Sequence, residues 1–347
     1  MNDIRALFGI AHPLVQAPMA GIQGSALAIA VSNAGALGSL PCAMLTPEAL
    51  VKELEAVSRA TPHPCNLNFF CHTTPEPDAA RDAAWQNSLA TYFAELEVDP
   101  STVQPGTGRT PFDAQIADAI EPFRPPVVSF HFGLPAPGLV AHVKSWGTKV
   151  ISSATTVEEA RWLEAHGADA IIAQGLEAGG HRGMFLTADL TTQIGTMALV
   201  PQMVAAVRVP VIAAGGIADA CGVSAAMALG AAGVQVGTAY MLCPEATTSG
   251  LHRAALKSGR AAHTVLTNLF TGRPARSIRN RLIAELGPIG DTPAFPLAGA
   301  ALMSLKAAAE KVGHDDFSSL WAGQNSGGCR EVGAAELTLD LVRRLMR

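Results

Sequence analysis

Charge, aromatic rings and cysteine motifs are all scarce in this chain, and each shortage removes a class of function. Charged residues make up 15% of 347, against 49% apolar, so there is material for a large core and little for disorder. The formal net charge is −5 and no basic stripe is visible, which argues against a nucleic-acid binder. Six cysteines are scattered without a Cys-x-x-Cys pair; Cys65 and Cys71 are the closest, and nothing resembles a zinc set or any other metal site. Free thiols of a reducing cytoplasm are the expectation. No apolar run reaches the length of a membrane span, and Met1-Asn-Asp-Ile-Arg5 lacks the charged-then-apolar shape of a signal peptide. A cytoplasmic protein with no membrane and no nucleic-acid partner is expected.

What the chain does have is glycine at the ends of short apolar runs. Runs at 14–19, 36–40, 66–70, 127–132, 149–154, 170–174, 209–216 and 234–240 read as strands, mostly separated by helical patterns. Thr46-Pro47-Glu48 is a helix start with threonine as cap and proline in the first turn. Thr156 and Glu159 have the spacing of a capping box. Thr196 to Val207 is helical with Pro201 inside it, which predicts a kink or a late start. Asp219 caps a helix that Gly230 ends.

Eight such strands suggest a (β/α)₈ TIM barrel, with an open doubly wound sheet as the alternative; nearly continuous apolar strands fit either, and the count favours closure. Two stretches break the rhythm. Residues 72–125 carry Pro75, Pro77, Pro100, Pro105, Pro111 and a Gly-Thr-Gly at 106–108; residues 245–300 read as helix and loop. Both are expected to form a smaller cap over the barrel mouth, with 1–71, 126–244 and 301–347 making the barrel.

Barrel chemistry sits at the C-terminal strand ends. The sixth strand runs into Gln174 and a Gly179-Gly180-His181 turn, which places an imidazole where a ligand would lie. The seventh and eighth end in Gly215-Gly216 and Gln235-Val236-Gly237-Thr238; loops at these positions often bind phosphate through backbone N–H groups and helix N-termini. Asn68, Gln174 and Gln235 add amides that suit the edge of a flat heterocycle. A flavin mononucleotide has that edge and a phosphate tail. Tight βα turns and mutually satisfied buried amides are the structural alternatives.

Gln16-Ala-Pro-Met-Ala-Gly21, Ser129-Phe-His-Phe-Gly-Leu-Pro135, Gly175-Leu-Glu-Ala-Gly-Gly-His-Arg-Gly183, Pro210-Val-Ile-Ala-Ala-Gly-Gly-Ile217 and Gln235-Val-Gly-Thr238 together resemble the class I nitronate monooxygenases, formerly called 2-nitropropane dioxygenases. The resemblance spans residue 14 to about 325. Flavin-dependent enoyl-acyl-carrier-protein reductases share the Glu-Ala-Gly-Gly-His turn; the Ser-Phe-x-Phe-Gly-x-Pro run tilts the likeness to the first family.

It implies an FMN enzyme that oxidises alkyl nitronates such as propionate 3-nitronate, or nitroalkanes, with O₂ and without a nicotinamide cofactor. His181 matches the active-site histidine, as neutral base or as a cation beside the nitronate. Asn68, Gln174, Gly179, Gly216 and Gln235 to Thr238 match flavin contacts, Met19, Ala20 and Gly21 lie against the ring, and Gly180 shapes the turn. His131 faces the nitro group, or is a buried structural histidine. The family's cap often offers tyrosines, and this chain has only Tyr92 and Tyr240. An NAD(P)H-dependent flavin reductase of enoyl thioesters or quinones is the alternative, though no Gly-x-Gly-x-x-Gly fingerprint follows a strand; a non-catalytic phosphate-ligand sensor is a third reading. A monomer or homodimer fits either enzyme.

Overall fold

The computed structural model describes residues 3–103 and 109–346. Pro105, the Gly-Thr-Gly at 106–108, the first two residues and Arg347 lie outside the described residues.

The barrel strands fall where the apolar runs place them. They are β1 Leu14–Gln16, β2 Gly38–Pro41, β3 Cys65–Phe70, β4 Val127–His131, β5 Lys149–Ala154, β6 Ala170–Gln174, β8 Val211–Ala214 and β9 Gly233–Val236. All pair in parallel in the order β1-β9-β8-β6-β5-β4-β3-β2. A parallel bridge between Val15 and Leu37 joins the two ends of that order, with the Gln16 N–H on the Leu37 carbonyl at 2.9 Å. The sheet is therefore a (β/α)₈ barrel, not an open sheet.

Adjacent residues on each strand face opposite ways. Val127, Ile151, Ile172 and Ile212 pack inside the ring with Ile4 and Phe8 of the helix Ile4–Phe8, which plugs the end where the strands begin. Their neighbours Val128, Val150 and Ile171 join the outer layer with helix residues such as Leu50, Leu54 and Leu163. Burying each of these side chains contributes about 1.5–3 kcal/mol, and the closed ring holds the opposite strand ends at fixed positions.

The helix starts follow local chemistry. Thr46 accepts the Ala49 N–H at 3.3 Å with Pro47 in the first turn. Asp219 accepts the Gly222 N–H at 2.8 Å. Thr156 caps its helix through the Glu159 N–H, but Glu159 does not complete the expected box. Its carboxylate is fully buried and takes the Thr155 N–H and hydroxyl, both at 2.7 Å, and the Phe185 N–H at 2.6 Å. It ties the loop after β6 to the helix after β5, a long-range demand that outweighs the local motif. The helix Thr196–Ala206 starts on time and runs through Pro201.

Between 245 and 300 the helix-and-loop expectation is corrected. Two short strands, β10 Thr264–Thr267 and β11 Ala275–Ile278, pair antiparallel, and β7, which is Gly180–His181, adds to β11. Four-residue strands around a Gly-Arg-Pro turn read as loop, and their third partner comes from a distant part of the chain. The helix Gly299–Lys311 packs Leu302 and Leu305 against Trp85, Leu89 and Leu282. On that packing we place it with the cap, whereas Leu337 and Leu341 of the helix Ala334–Val342 pack on the barrel with Leu14 and Leu27. No helix among the described residues is long and apolar enough to cross a membrane.

Candidate active site

A cleft with about 1240 Å³ of empty space, open mouth included, lies over the C-terminal strand ends. Met19 and Ala20 line it from β1, Asn68 from β3 and His131 from β4. Gln174, Gly179, Gly180 and His181 line it from the β6 side, and Gly215, Gly216, Gln235, Gly237 and Thr238 from the β8 and β9 ends. Two residues expected there do not reach it. Val236 points into the outer core, because its neighbour Gln235 takes the inward position on the strand. Gly21 sits in the next turn, exposed, at φ +77°.

His181 is fixed by its strand. Pairing of His181 with Ala275 sets the backbone, and its Nε2 lies 2.9 Å from the Thr271 hydroxyl. The ring stands among Phe70, Phe132, Phe295 and Trp321, with centroids 5.4–6.2 Å away. Burial pushes its pKa well below the ordinary imidazole value, and the charges of Arg109 and Arg273 push the same way, as would protonation of His131 or His72. The imidazole is neutral at neutral pH. Phe132 holds a left-handed backbone, φ +70°, with the Arg273 guanidinium 3.9 Å above its ring. Such strain costs about 1–3 kcal/mol and persists only where packing enforces it.

His131 and Gln174 brace this turn. His131 Nε2 lies 3.2 Å from the His181 carbonyl and Nδ1 3.1 Å from the Ser153 hydroxyl, so both ring nitrogens are engaged by the protein. The Gln174 amide donates to the His181 carbonyl at 2.9 Å and accepts the Gly183 N–H at 2.7 Å. Beneath them Arg182, fully buried, donates to the Gly175 and Gln174 carbonyls at 2.8 Å and to Gln193 at 2.9 Å.

On the β8 and β9 side the glycines leave room that side chains would fill. Gly215 and Gly216 have φ of +122° and +69°. A Cβ on Gly179 would stand 2.5 Å from the Gly323 nitrogen, so this glycine lets residues 321–325 fold over the cleft. Gly323 donates to the Thr238 hydroxyl at 2.9 Å, and Asn325 to the Gly216 carbonyl at 2.9 Å. No acceptor among the described residues takes the N–H of Gly216, Gly237 or Thr238. The two nearby helix N-termini, however, are already capped by carboxylates. Asp219 caps one, and Glu177 takes the Thr196 N–H and hydroxyl at 2.8 and 2.7 Å. An anion here would rest on loop N–H groups rather than on a free helix end.

Arg109, Phe70, Thr271, Trp321 and Asn325 were not picked out from the sequence. Only Asn325 carried a usable signal, in the polar glycine-rich run Gly323-Gln-Asn-Ser-Gly-Gly328.

Buried neutral histidines predict how the fold responds to acid. Burial lowers His131 to about 3 and His252 to about 4. The unfolded chain takes these protons near pH 6.5 and the folded chain does not, so stability present above pH 6.5 is lost as pH falls below it. Each group costs about 1.4 kcal/mol per pH unit over that window. Melting temperatures at pH 7.5, 6 and 5 are expected to fall with a steepening slope, and a flat profile would contradict the burial argument.

A closed (β/α)₈ barrel with a cleft over its C-terminal strand ends is the arrangement of the barrel enzymes. The nitronate monooxygenase family model matches residues 2–345. A nitronate monooxygenase of Pseudomonas aeruginosa is 43% identical over 98% of this chain and 97% of its own. The structure of a nitroalkane oxidase from Streptomyces ansochromogenes superposes with a TM-score of 0.90 at 37% identity, covering 99% of this chain and 98% of that one. FabK from Thermotoga maritima is more distant, with a TM-score of 0.71 at 26% identity over 99% of this chain and 95% of its own. The chain belongs to the nitronate monooxygenase family.

Proposed function

We propose that this chain binds FMN in the cleft and oxidises alkyl nitronates, such as propionate 3-nitronate, with O₂ to a carbonyl compound and nitrite. The observation that carries the reading is a neutral buried imidazole, His181, across the mouth from a glycine corner with unfilled N–H groups.

The residues present fit the cofactor. Gly216, Gly237 and Thr238 supply N–H groups for the phosphate, and a Cβ on Gly215 or Gly216 would crowd that corner. Gln235 Oε1 is buried without a partner among the described residues, as an acceptor awaiting a ring N–H. Asn68 spends its amide N–H groups on Ser129, which leaves its oxygen for the same use. When bound, the flavin supplies the electron sink for the nitronate and the route to O₂.

The chain's own work is to hold and deprotonate the organic substrate. His181 Nδ1 has no partner among the described residues, while Nε2 is held by Thr271. A neutral nitroalkane would lose its α-proton to that nitrogen; a nitronate would need no base. Phe70, Phe132, Phe295 and Trp321 exclude water around the reacting carbon. The histidine–Thr271 pair, with His131 and Gln174 on the His181 carbonyl, fixes the ring's position.

The purified protein is expected to show a flavin spectrum, with FMN released on denaturation, and to consume O₂ with propionate 3-nitronate. NADH under nitrogen should leave the flavin oxidised; rapid bleaching would favour the reductase reading. A colourless folded protein that FMN does not reconstitute would overturn both.

A further inference from the structure

Arg109 lines the cleft, and its guanidinium lies 5.6 Å from the Phe70 ring centroid and 5.5 Å from that of Phe295. Neither a carboxylate nor a hydrogen-bond acceptor among the described residues engages it. The other arginines around the site are tied to backbone: Arg182 to the Gln174 and Gly175 carbonyls, Arg273 to that of Met184, and Arg276 to that of Leu176. Arg109 is half-buried, and burial works against its charge. A guanidinium set over aromatic rings with no acceptor beside it keeps its five N–H donors free, and their fork matches a carboxylate.

Position decides whether that group belongs to cofactor or substrate. Phe70 ends β3, and β3 stands four places from β8 in the ring of eight, so it is diametrically opposite the Gly215-Gly216 corner. The phosphate tail is accounted for there. His181 is on Arg109's side, because both groups lean on the same Phe70 and Phe295 rings. A ligand group held by Arg109 therefore lies a few carbon atoms from the carbon that His181 faces.

We propose that Arg109 binds a second negative charge on the substrate, a carboxylate at the end of a short chain, and so selects nitronates and nitroalkanes that carry one. The proposal rests on the reading of the cleft as a nitronate site, and predicts that a carboxylate-bearing nitronate is preferred over an alkyl one. The phenylalanines under the guanidinium accommodate the methylene spacer and offer no alternative cation.

The test compares wild-type holoenzyme with Arg109→Met and Arg109→Lys on propionate 3-nitronate and on butyl-1-nitronate, which lacks the carboxylate. Arg109→Met is expected to raise KM for propionate 3-nitronate by about 10- to 100-fold, the scale of a charge-assisted pair. The kcat, and both constants for butyl-1-nitronate, should stay within about twofold, with Arg109→Lys recovering part of the loss. Equal losses on both substrates, or none on either, would overturn the assignment. A second measurement avoids turnover: calorimetric titration under nitrogen with 3-nitropropionate and with 1-nitrobutane, on protein that carries His181→Asn and is otherwise wild type or Arg109→Met. Tighter binding of 3-nitropropionate that vanishes in Arg109→Met supports the carboxylate site even where nitronate oxidation fails. Equal affinity for the two ligands with Arg109 in place refutes it.

Discussion

Replacing His181 by asparagine is expected to lower kcat/KM for a neutral nitroalkane by about 10²- to 10⁴-fold, the usual contribution of a general base. Turnover of the corresponding nitronate should change by less than about tenfold, because that substrate arrives already deprotonated. Asparagine keeps a polar group near Thr271 and leaves the backbone pairing with Ala275 intact, so the brace from His131 and Gln174 survives. The split between substrates follows from the charge state. Burial first, and then the standing charges of Arg109 and Arg273, favour the neutral ring, and any proton taken up by His131 or His72 would favour it further. A protonated His181 steadying the nitronate would require the site to reverse every one of those effects.

The same lowered pKa gives the sign of the pH profile. A base at His181 is competent only when deprotonated, so nitroalkane kcat/KM is expected to fall as pH drops through its pKa, with that limb below 6.5. Stopped-flow reduction under nitrogen with nitroethane and with ethyl nitronate measures both effects. Equal losses on the two substrates would remove the proton-abstraction role.

Much of this architecture was legible in the residues, for a physical reason. Strands of a parallel barrel are buried on both faces, so β3 to β6 read as apolar runs, and glycines mark where each chain turns toward the mouth. The cleft-facing amides were legible too, because polar residues at the ends of apolar strands need partners. What was not legible depends on distant segments. Gly180-His181 has no strand pattern of its own; β11 makes it one. His131 could be seen, but not that Ser153 and the His181 carbonyl engage both its nitrogens. Glu159 fits a capping box by spacing and is drawn away by the buried N–H groups of Thr155 and Phe185. Arg109 gains its meaning only when Phe70 and Phe295, far apart in the chain, come together beside it.

Gly216→Val is expected to yield a folded, colourless protein, with FMN affinity lowered by about 100-fold or more. The backbone at Gly216 has φ +69°, a region a β-branched residue scarcely enters, and forcing it there costs about 1–3 kcal/mol. Its Cβ would stand 3.3 Å from the Glu177 Cβ. Glu177 cannot yield easily, because its carboxylate caps the helix Thr196–Ala206 through the Thr196 N–H and hydroxyl. The corner must shift instead, and with it the N–H group proposed to hold the phosphate, at about 1.5–3 kcal/mol for each charged hydrogen bond lost. Two comparisons separate this from general damage. Gly147→Ala also places a side chain at positive φ, +85°, but at the far end of the barrel with nothing within 4 Å, and should keep its flavin. Riboflavin has the ring without the phosphate, so the wild-type preference for FMN over riboflavin should collapse in Gly216→Val while riboflavin affinity changes much less. If the variant purifies yellow, or loses affinity for both ligands in equal measure, the phosphate does not sit on this corner.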